Sequence, residues 1–159
     1  LLEGVQHEST IPGFEWLANY PKLKPEQLVY IGLRDVDQAE RELIWKLNIA
    51  TYTMTDIDHI GIGRVLDEAL QHLRDRPLHV SYDIDAVDPA LAPATGTAVR
   101  GGLTFREAHY VAEAIAQSGR LHSAELVELN PHLSDVEGAD DTIELGLQII
   151  LSLMGKSII

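Results

Sequence analysis

A buried strand that ends in a group of acids is the feature that most constrains this chain. The run from His79 to Pro89 reads HVSYDIDAVDP, and it places Asp83, Asp85 and Asp88 directly after apolar and alternating residues. Carboxylates at the end of a core strand carry a large desolvation cost unless a cation is present. Since Asp83 and Asp85 are two apart, an extended backbone points both to one side, with Cα atoms about 6.5–7 Å apart. This spacing suits two ligands of one metal cluster.

Strand and helix patterns alternate along the chain, which predicts an α/β fold with a parallel sheet and helices on both faces. The expected strands cover 28–33, 50–54, 78–83 and 123–129, and the expected helices cover 37–47, 55–73, 104–119 and 140–154. Thr104 and Glu107 form a capping box at the start of the third helix. The length of 159 residues, without an internal boundary, predicts a single domain over 1–159.

Polar residues follow every predicted strand. In open parallel sheets, ligands bind outside the carboxyl ends of the strands, so these residues are expected to meet at one rim. They are Asp35, Asp37 and Glu40 after the first strand, Thr55 and Asp56 after the second, Asp83 and Asp85 after the third, and Glu128 and Asn130 in or after the fourth. A donor set of oxygens favours Mg²⁺ or Mn²⁺ over Zn²⁺.

Several of these residues also have ordinary structural explanations. Asp35, Asp37 and Asp56 can be helix N-caps, and for Asp56 we prefer this interpretation. Asp88 precedes a proline and is expected to brace a loop. His79 is expected to be a hydrogen-bonded core histidine. Glu128 lies in the apolar run LVEL, where a buried and partnered glutamate is expected because Glu is rarely buried alone.

Composition narrows the classes of partner. A net charge of −13 argues against nucleic acid and favours metal ions or cationic small molecules. The absence of cysteine excludes disulfides, thiolate metal sites and a cysteine nucleophile. We expect no membrane partner and a cytoplasmic location, because no apolar run reaches the roughly 18 residues that span a bilayer and no signal-peptide pattern opens the chain. The opening residues LLEG read like the end of an earlier element, so we expect a fragment.

Five separate blocks resemble the arginase family of binuclear manganese ureohydrolases. They are YIGLRDVD at 30–37 with Glu40, SYDIDAVDP at 81–89, PATGT at 93–97, GGLTFRE at 101–107 and ELVELNP at 125–131. The resemblance runs from about Pro12 to the end of the chain and is specific, because several blocks agree in order. It implies the C-terminal half of an arginase-like three-layer αβα domain.

The resemblance also implies an activity, the manganese-dependent hydrolysis of the guanidinium group of L-arginine to L-ornithine and urea. Asp83 then bridges two Mn²⁺ ions, and Asp85 binds one of them and assists proton transfer to the leaving amine. Glu128 faces the substrate guanidinium, and Thr97 lines the same pocket. Two metals that share a water lower its pKa and supply a hydroxide nucleophile.

Asp37 and Glu40 are implied contacts to the α-amino end of the substrate, the second partly through water. They favour arginine over agmatine. Arg106 and Glu107 match a segment that contributes to subunit contacts in some relatives, which implies a homo-oligomer, either a trimer or a hexamer. Two alternatives stay open: an agmatinase or other ureohydrolase, and a non-catalytic acidic assembly module. The second is supported because the family's N-terminal metal ligands are absent, which leaves two of six.

Overall fold

In the computed structural model, which describes residues 2–3 and 12–156, four strands alternate with four long helices. In chain order they are β1 Val29–Leu33, α1 Gln38–Leu47, β2 Ala50–Thr53, α2 Met54–His72, β3 Leu78–Asp83, α3 Phe105–Gln117, β4 Leu121–Val127 and α4 Val136–Leu153. Every predicted element is present, and the largest shift is α4, which begins four residues earlier than expected. The single-domain prediction includes residues 1, 4–11 and 157–159, which lie outside the described residues.

All strand pairing between these elements is parallel, which confirms the α/β class. β1 pairs with β2, and β3 pairs with β4. One detail differs from expectation: among the described residues, hydrogen bonds join the strands in two pairs and not in one continuous sheet. β1 and β3 both line a cavity of about 460 Å³.

The core lies between the strands and the three longest helices. α2 packs against β1, β2 and α3, while α4 packs against α3 and β4. Helical spacing explains the burial in α3, where Ala108, Val111, Ala112 and Ile115 share one face and are all buried. By contrast, α1 has no fully buried residue, and its Trp45 is 71% exposed. No helix in the described part of the chain is long and apolar enough to cross a membrane.

Hydrogen-bonded caps define where the helices begin. The predicted capping box of α3 is confirmed, since Thr104 and Glu107 bond reciprocally. The N-cap of α2 is Thr53 and not Asp56, so that prediction is wrong. The Asp56 carboxylate instead accepts the Thr53 backbone N–H at 2.7 Å, while the Thr53 hydroxyl accepts from Asp56 N at 3.3 Å. This capping box satisfies two backbone N–H groups, those of Thr53 and Asp56. An aspartate that acted as the N-cap without a reciprocal bond would satisfy only one.

The long loop after β3 is ordered by backbone contacts. Leu103 donates its N–H to Ala86 O at 2.8 Å and accepts from Asp88 N at 3.0 Å. The Asp88 carboxylate accepts from Gly101 N at 2.7 Å and from Ala90 N at 2.9 Å. These N–H donors, that of Ala90 first, hold the pKa of Asp88 below its usual value. Asp88 is therefore the loop brace that the sequence predicted.

Gly102 is where this loop tolerates no side chain. A Cβ atom there would lie 2.6 Å from both Asp88 N and Val87 C, which are backbone atoms that cannot rotate away. We expect Gly102→Ala to lower the free energy of unfolding by about 1–3 kcal/mol, the usual cost of overpacking. A Cβ at Gly96, in the same loop, would meet only Leu133 Cδ1 at 3.9 Å. Gly96→Ala should therefore change stability little, and equal urea midpoints for the two variants by circular dichroism would contradict this account.

Candidate functional site

Asp83 and Asp85 sit where β3 turns into a loop. Asp83 is the last strand residue, and its Oδ1 accepts the backbone N–H of Asp85 at 3.0 Å. This bond starts a short 3-10 turn, Ile84–Ala86, so Asp85 does not continue the strand. The expected spacing along an extended backbone is therefore wrong, although the two half-buried acids remain neighbours.

The pKa of Asp83 is raised above its usual value. Burial is the largest cause, and the negative charge of Asp85 adds to it. The backbone N–H of Asp85 and the positive charge of Arg34 act in the opposite direction and are outweighed. A carboxylate in this position is short of positive charge, because burial and a like charge both disfavour its ionised form. A bound cation would offset both effects.

Arg34 is a site residue that the sequence reasoning missed. It follows β1, and its Nη2 donates to Asp85 O at 2.6 Å and to Val99 O at 2.6 Å. Its Nε donates to Val99 O at 3.0 Å. The available signal was a single cation between an apolar strand and the acids Asp35 and Asp37. The long-range carbonyl partners that give Arg34 its role cannot be read from that signal.

Asp37 and Glu40 lie at the start of α1, and both are exposed. Asp37 is the N-cap, since its Oδ1 accepts Glu40 N at 2.9 Å, which confirms the capping interpretation. Burial and, second, the Glu40 carboxylate raise the pKa of Tyr30, so Glu40 lies near the β1 strand. Both acids are open to a ligand, while Asp37 also has a structural task.

Thr97 and Glu128 have different surroundings. Thr97 lines the same cavity as Asp83, Asp85 and Arg34. Glu128 does not line it and is exposed, so the prediction of a buried strand glutamate is wrong. The reason is local: β4 ends at Val127, and Glu128 has a left-handed φ of 65°. That conformation turns the chain out of the strand, and the Glu128 carbonyl accepts the Thr95 hydroxyl at 3.0 Å.

His79 is hydrogen-bonded but does not lie in the core. Its Nδ1 is 2.9 Å from Ser123 Oγ, and its Nε2 is 3.7 Å from Glu125 Oε1. The His79 side chain is 57% exposed, because the outer face of the β3–β4 pair is not covered by described residues. The prediction of a core histidine is therefore wrong in burial and right in hydrogen bonding.

The predicted meeting of acids at one rim is only partly realised. One cavity is lined by Arg34, Asp35, Asp83, Asp85 and Thr97, while Asp37, Glu40 and Glu128 stay outside its wall. Within residues 2–3 and 12–156, no group of three or more histidine or acidic side chains is arranged to hold a metal ion. The described residues thus supply two adjacent carboxylates and not a complete metal site.

Comparisons with known proteins agree on one family. The model of the arginase family matches residues 5–155. The chain is 45% identical to the arginase of Glaciozyma antarctica, an alignment that covers 99% of this chain and 46% of the relative. It is 47% identical to the mitochondrial arginase-2 of Rattus norvegicus, over 92% of this chain and 42% of that protein.

Solved structures give the same result for the fold. The arginase of Bacillus caldovelox matches with a TM-score of 0.85 and 38% identity, over 94% of this chain and 50% of that one. The formimidoylglutamase of Bacillus subtilis matches with a TM-score of 0.74 and 26% identity, over 85% of this chain and 43% of that one. The chain spans about half the length of the relatives it matches.

Proposed function

The chain belongs to the arginase family, and on that premise we propose that it forms the C-terminal half of an enzyme that hydrolyses L-arginine to L-ornithine and urea. The observation that carries the proposal is the Asp83–Asp85 pair at a cavity wall that also holds Arg34 and Thr97. An acidic site matches a cationic guanidinium in charge. A complete site needs more ligands than the described residues supply.

The two acids fit part of a manganese site. Their donors are carboxylate oxygens, which suit Mn²⁺, and Asp83 is half-buried beside a like charge that a cation would neutralise. We propose that Asp83 bridges two Mn²⁺ ions and that Asp85 binds one. When bound, the pair of ions would lower the pKa of a shared water so that hydroxide is available near neutral pH.

The remaining roles are proposed from the family resemblance and from the charge of each side chain. Asp85 lies at the reacting end and takes the role of proton carrier to the leaving amine. Glu128 pairs with the substrate guanidinium, and its left-handed turn directs the chain away from β4 at that point. Thr97, on the cavity wall, contacts the same end of the substrate. Asp37 and Glu40, exposed at the start of α1, bind the α-amino end.

Two other functions are alternatives. Another ureohydrolase activity, such as that of an agmatinase, keeps the acid pair and differs only at the amino-acid end, where Asp37 and Glu40 favour arginine. A non-catalytic assembly role is favoured by the incomplete ligand set. A homo-oligomer with Arg106 and Glu107 near its contacts, either a trimer or a hexamer, and a cytoplasmic location are further parts of the proposal.

A chimera tests the activity. Residues 1–159 would replace the matching part of the Glaciozyma antarctica arginase, so that the relative supplies the portion this chain does not match. With Mn²⁺, we expect the chimera to release urea from L-arginine and the 159-residue chain alone to release none, because two ligands do not fix two ions. Urea release by the chain alone at the rate of the chimera, or a folded chimera that binds Mn²⁺ without activity, would contradict the proposal.

Metal content separates the roles of the two acids. In the chimera, Asp83→Asn should lose most of both Mn²⁺ ions, whereas Asp85→Asn should lose mainly one, because a bridging carboxylate serves two ions. The amide at position 83 can still accept the Asp85 N–H, so the turn is kept. Asp75→Asn, at an exposed acid, is the control for the charge change. Equal manganese content in the two site variants by elemental analysis rules out the bridging assignment.

Because Asp37 is also the N-cap of α1, a test of its role in substrate binding needs a variant that keeps the cap. Asn caps helices as well as Asp, so Asp37→Asn removes the charge and keeps α1, whereas Asp37→Ala removes both. We expect Asp37→Asn to lower kcat/KM for L-arginine. The corresponding loss of transition-state stabilisation should be about 1–3 kcal/mol, the cost of removing a charged hydrogen-bond partner. The effect on guanidinovalerate, which lacks the α-amino group, should be small. Equal losses on both substrates, or agmatine as the better substrate of the unmodified chimera, would show that the contact is assigned wrongly.

A further inference from the structure

A second cavity, of about 620 Å³, lies between α1 and β2. Its wall comes entirely from residues 33–55, which form one continuous strand–helix–strand unit. Ile49, Thr51 and Thr53 alternate along the chain, so they line the cavity from one face of β2. The wall shares only Leu33 and Arg34 with the cavity that holds the acid pair. The second cavity is therefore a separate feature of the fold.

The charge of this wall is opposite to that of the chain. Among its twelve lining residues are Arg34 and Arg41, and none of the described residues that line it is an aspartate or glutamate. Asp35, Glu40 and Glu42 are close in sequence but do not line the cavity. The chain as a whole has 25 acids against 12 lysines and arginines. A local excess of positive charge favours an anionic ligand.

Arg41 is the cation that such a ligand can reach. It is exposed, and in the described part of the chain its side chain makes one hydrogen bond, from Nη2 to Val36 O at 3.0 Å, and no ion pair. A guanidinium has five N–H donors in a planar fork, so donors remain for both oxygens of a carboxylate. Arg34 adds charge, but its Nε and Nη2 already donate to backbone carbonyls.

Trp45 adds a flat apolar surface beside Arg41. The two residues are four apart in α1, so they are neighbours on one face of the helix. Trp45 lines the cavity and yet is 71% exposed, which leaves its indole ring free for contact. Half-buried Ile44 and buried Ile49 add apolar surface to the same wall. Aromatic rings stack favourably on such an indole.

We propose that the cavity between α1 and β2 is a binding site for a small aromatic carboxylate. The carboxylate pairs with the Arg41 guanidinium, and the aromatic ring packs on Trp45. The site lies apart from Asp83 and Asp85, and its binding requires neither manganese nor the hydrolysis of arginine.

Binding of 4-fluorobenzoate to the chimera, followed by fluorine NMR, tests the proposal. The titration is made without added Mn²⁺, so that no bound metal holds the carboxylate. We expect 4-fluorobenzoate to bind and 4-fluorobenzamide, which has the same shape without the charge, to bind about tenfold more weakly, because a charge-assisted bond is lost. Equal affinity for the two compounds, or no binding of 4-fluorobenzoate, overturns the proposal.

Variants identify the cavity as the place of binding. Arg41→Gln should weaken binding of 4-fluorobenzoate by about tenfold, because it removes the charge while its amide can still donate to Val36 O. Trp45→Leu should weaken it by about threefold to tenfold through loss of ring stacking. Arg76→Gln, at an exposed arginine outside the wall, is the matched control for charge and should leave the affinity unchanged. Equal effects of Arg41→Gln and Arg76→Gln contradict the assignment.

The same titration on the 159-residue chain alone gives the remaining comparison. Equal affinity of the chain and the chimera supports the proposal, because the wall then comes from this chain and stays open in the longer protein. Binding to the chain but not to the chimera overturns it, since the added portion would then fill the cavity. If the chimera binds 4-fluorobenzoate but releases no urea from arginine, the proposed function fails and the second site stands.

Discussion

The position of one guanidinium determines how this structure holds its candidate site together. Arg34 brings the end of β1 to the turn that contains Asp85 and to the loop that contains Val99. In the described residues, α2 also joins the two regions, since it packs against β1, β2 and α3. The same cation lowers the pKa of Asp83, opposing the larger effect of burial.

The site has the properties of one part of a larger arrangement. Asp83 is partly desolvated beside Asp85, yet the described residues form no group of three or more acidic or histidine side chains that could hold a metal ion. Exposed surface points in the same direction: α4 leaves Ile143, Leu147 and Leu151 exposed at four-residue intervals, which is one helical face. The relatives that match nearly the whole chain are about twice as long. An incomplete ligand set and an uncovered apolar face are both consistent with a chain that spans half of such a fold.

Hydrogen-bonded helix caps could be predicted from the sequence because their partners are close in the chain. The cap made by Asp37 involves a residue three positions away, and so does the capping box of Thr104 and Glu107. The brace made by Asp88 spans 13 residues to Gly101 and was still expected, because an acid before a proline is a turn signal. The failures at Glu128 and His79 have different causes. Glu128 follows the end of β4 and has a left-handed φ, whereas His79 lies on a strand face that the described residues leave uncovered. Burial depends on what covers a strand, and alternation in the sequence does not reveal whether a cover is present.

The sequence by itself determined the order and type of the elements, the parallel pairing class, the acid pair after β3 and the resemblance to the arginase family. These follow from hydrophobic periodicity, short-range hydrogen bonding and blocks of specific residues. Only the tertiary structure decided that the strands form two pairs, that Asp85 leaves the strand in a 3-10 turn, that Glu128 faces solvent and that Arg34 joins the halves of the site. Each of these depends on contacts between residues far apart in the chain, or on one backbone dihedral, and the packing of the whole fold selects them.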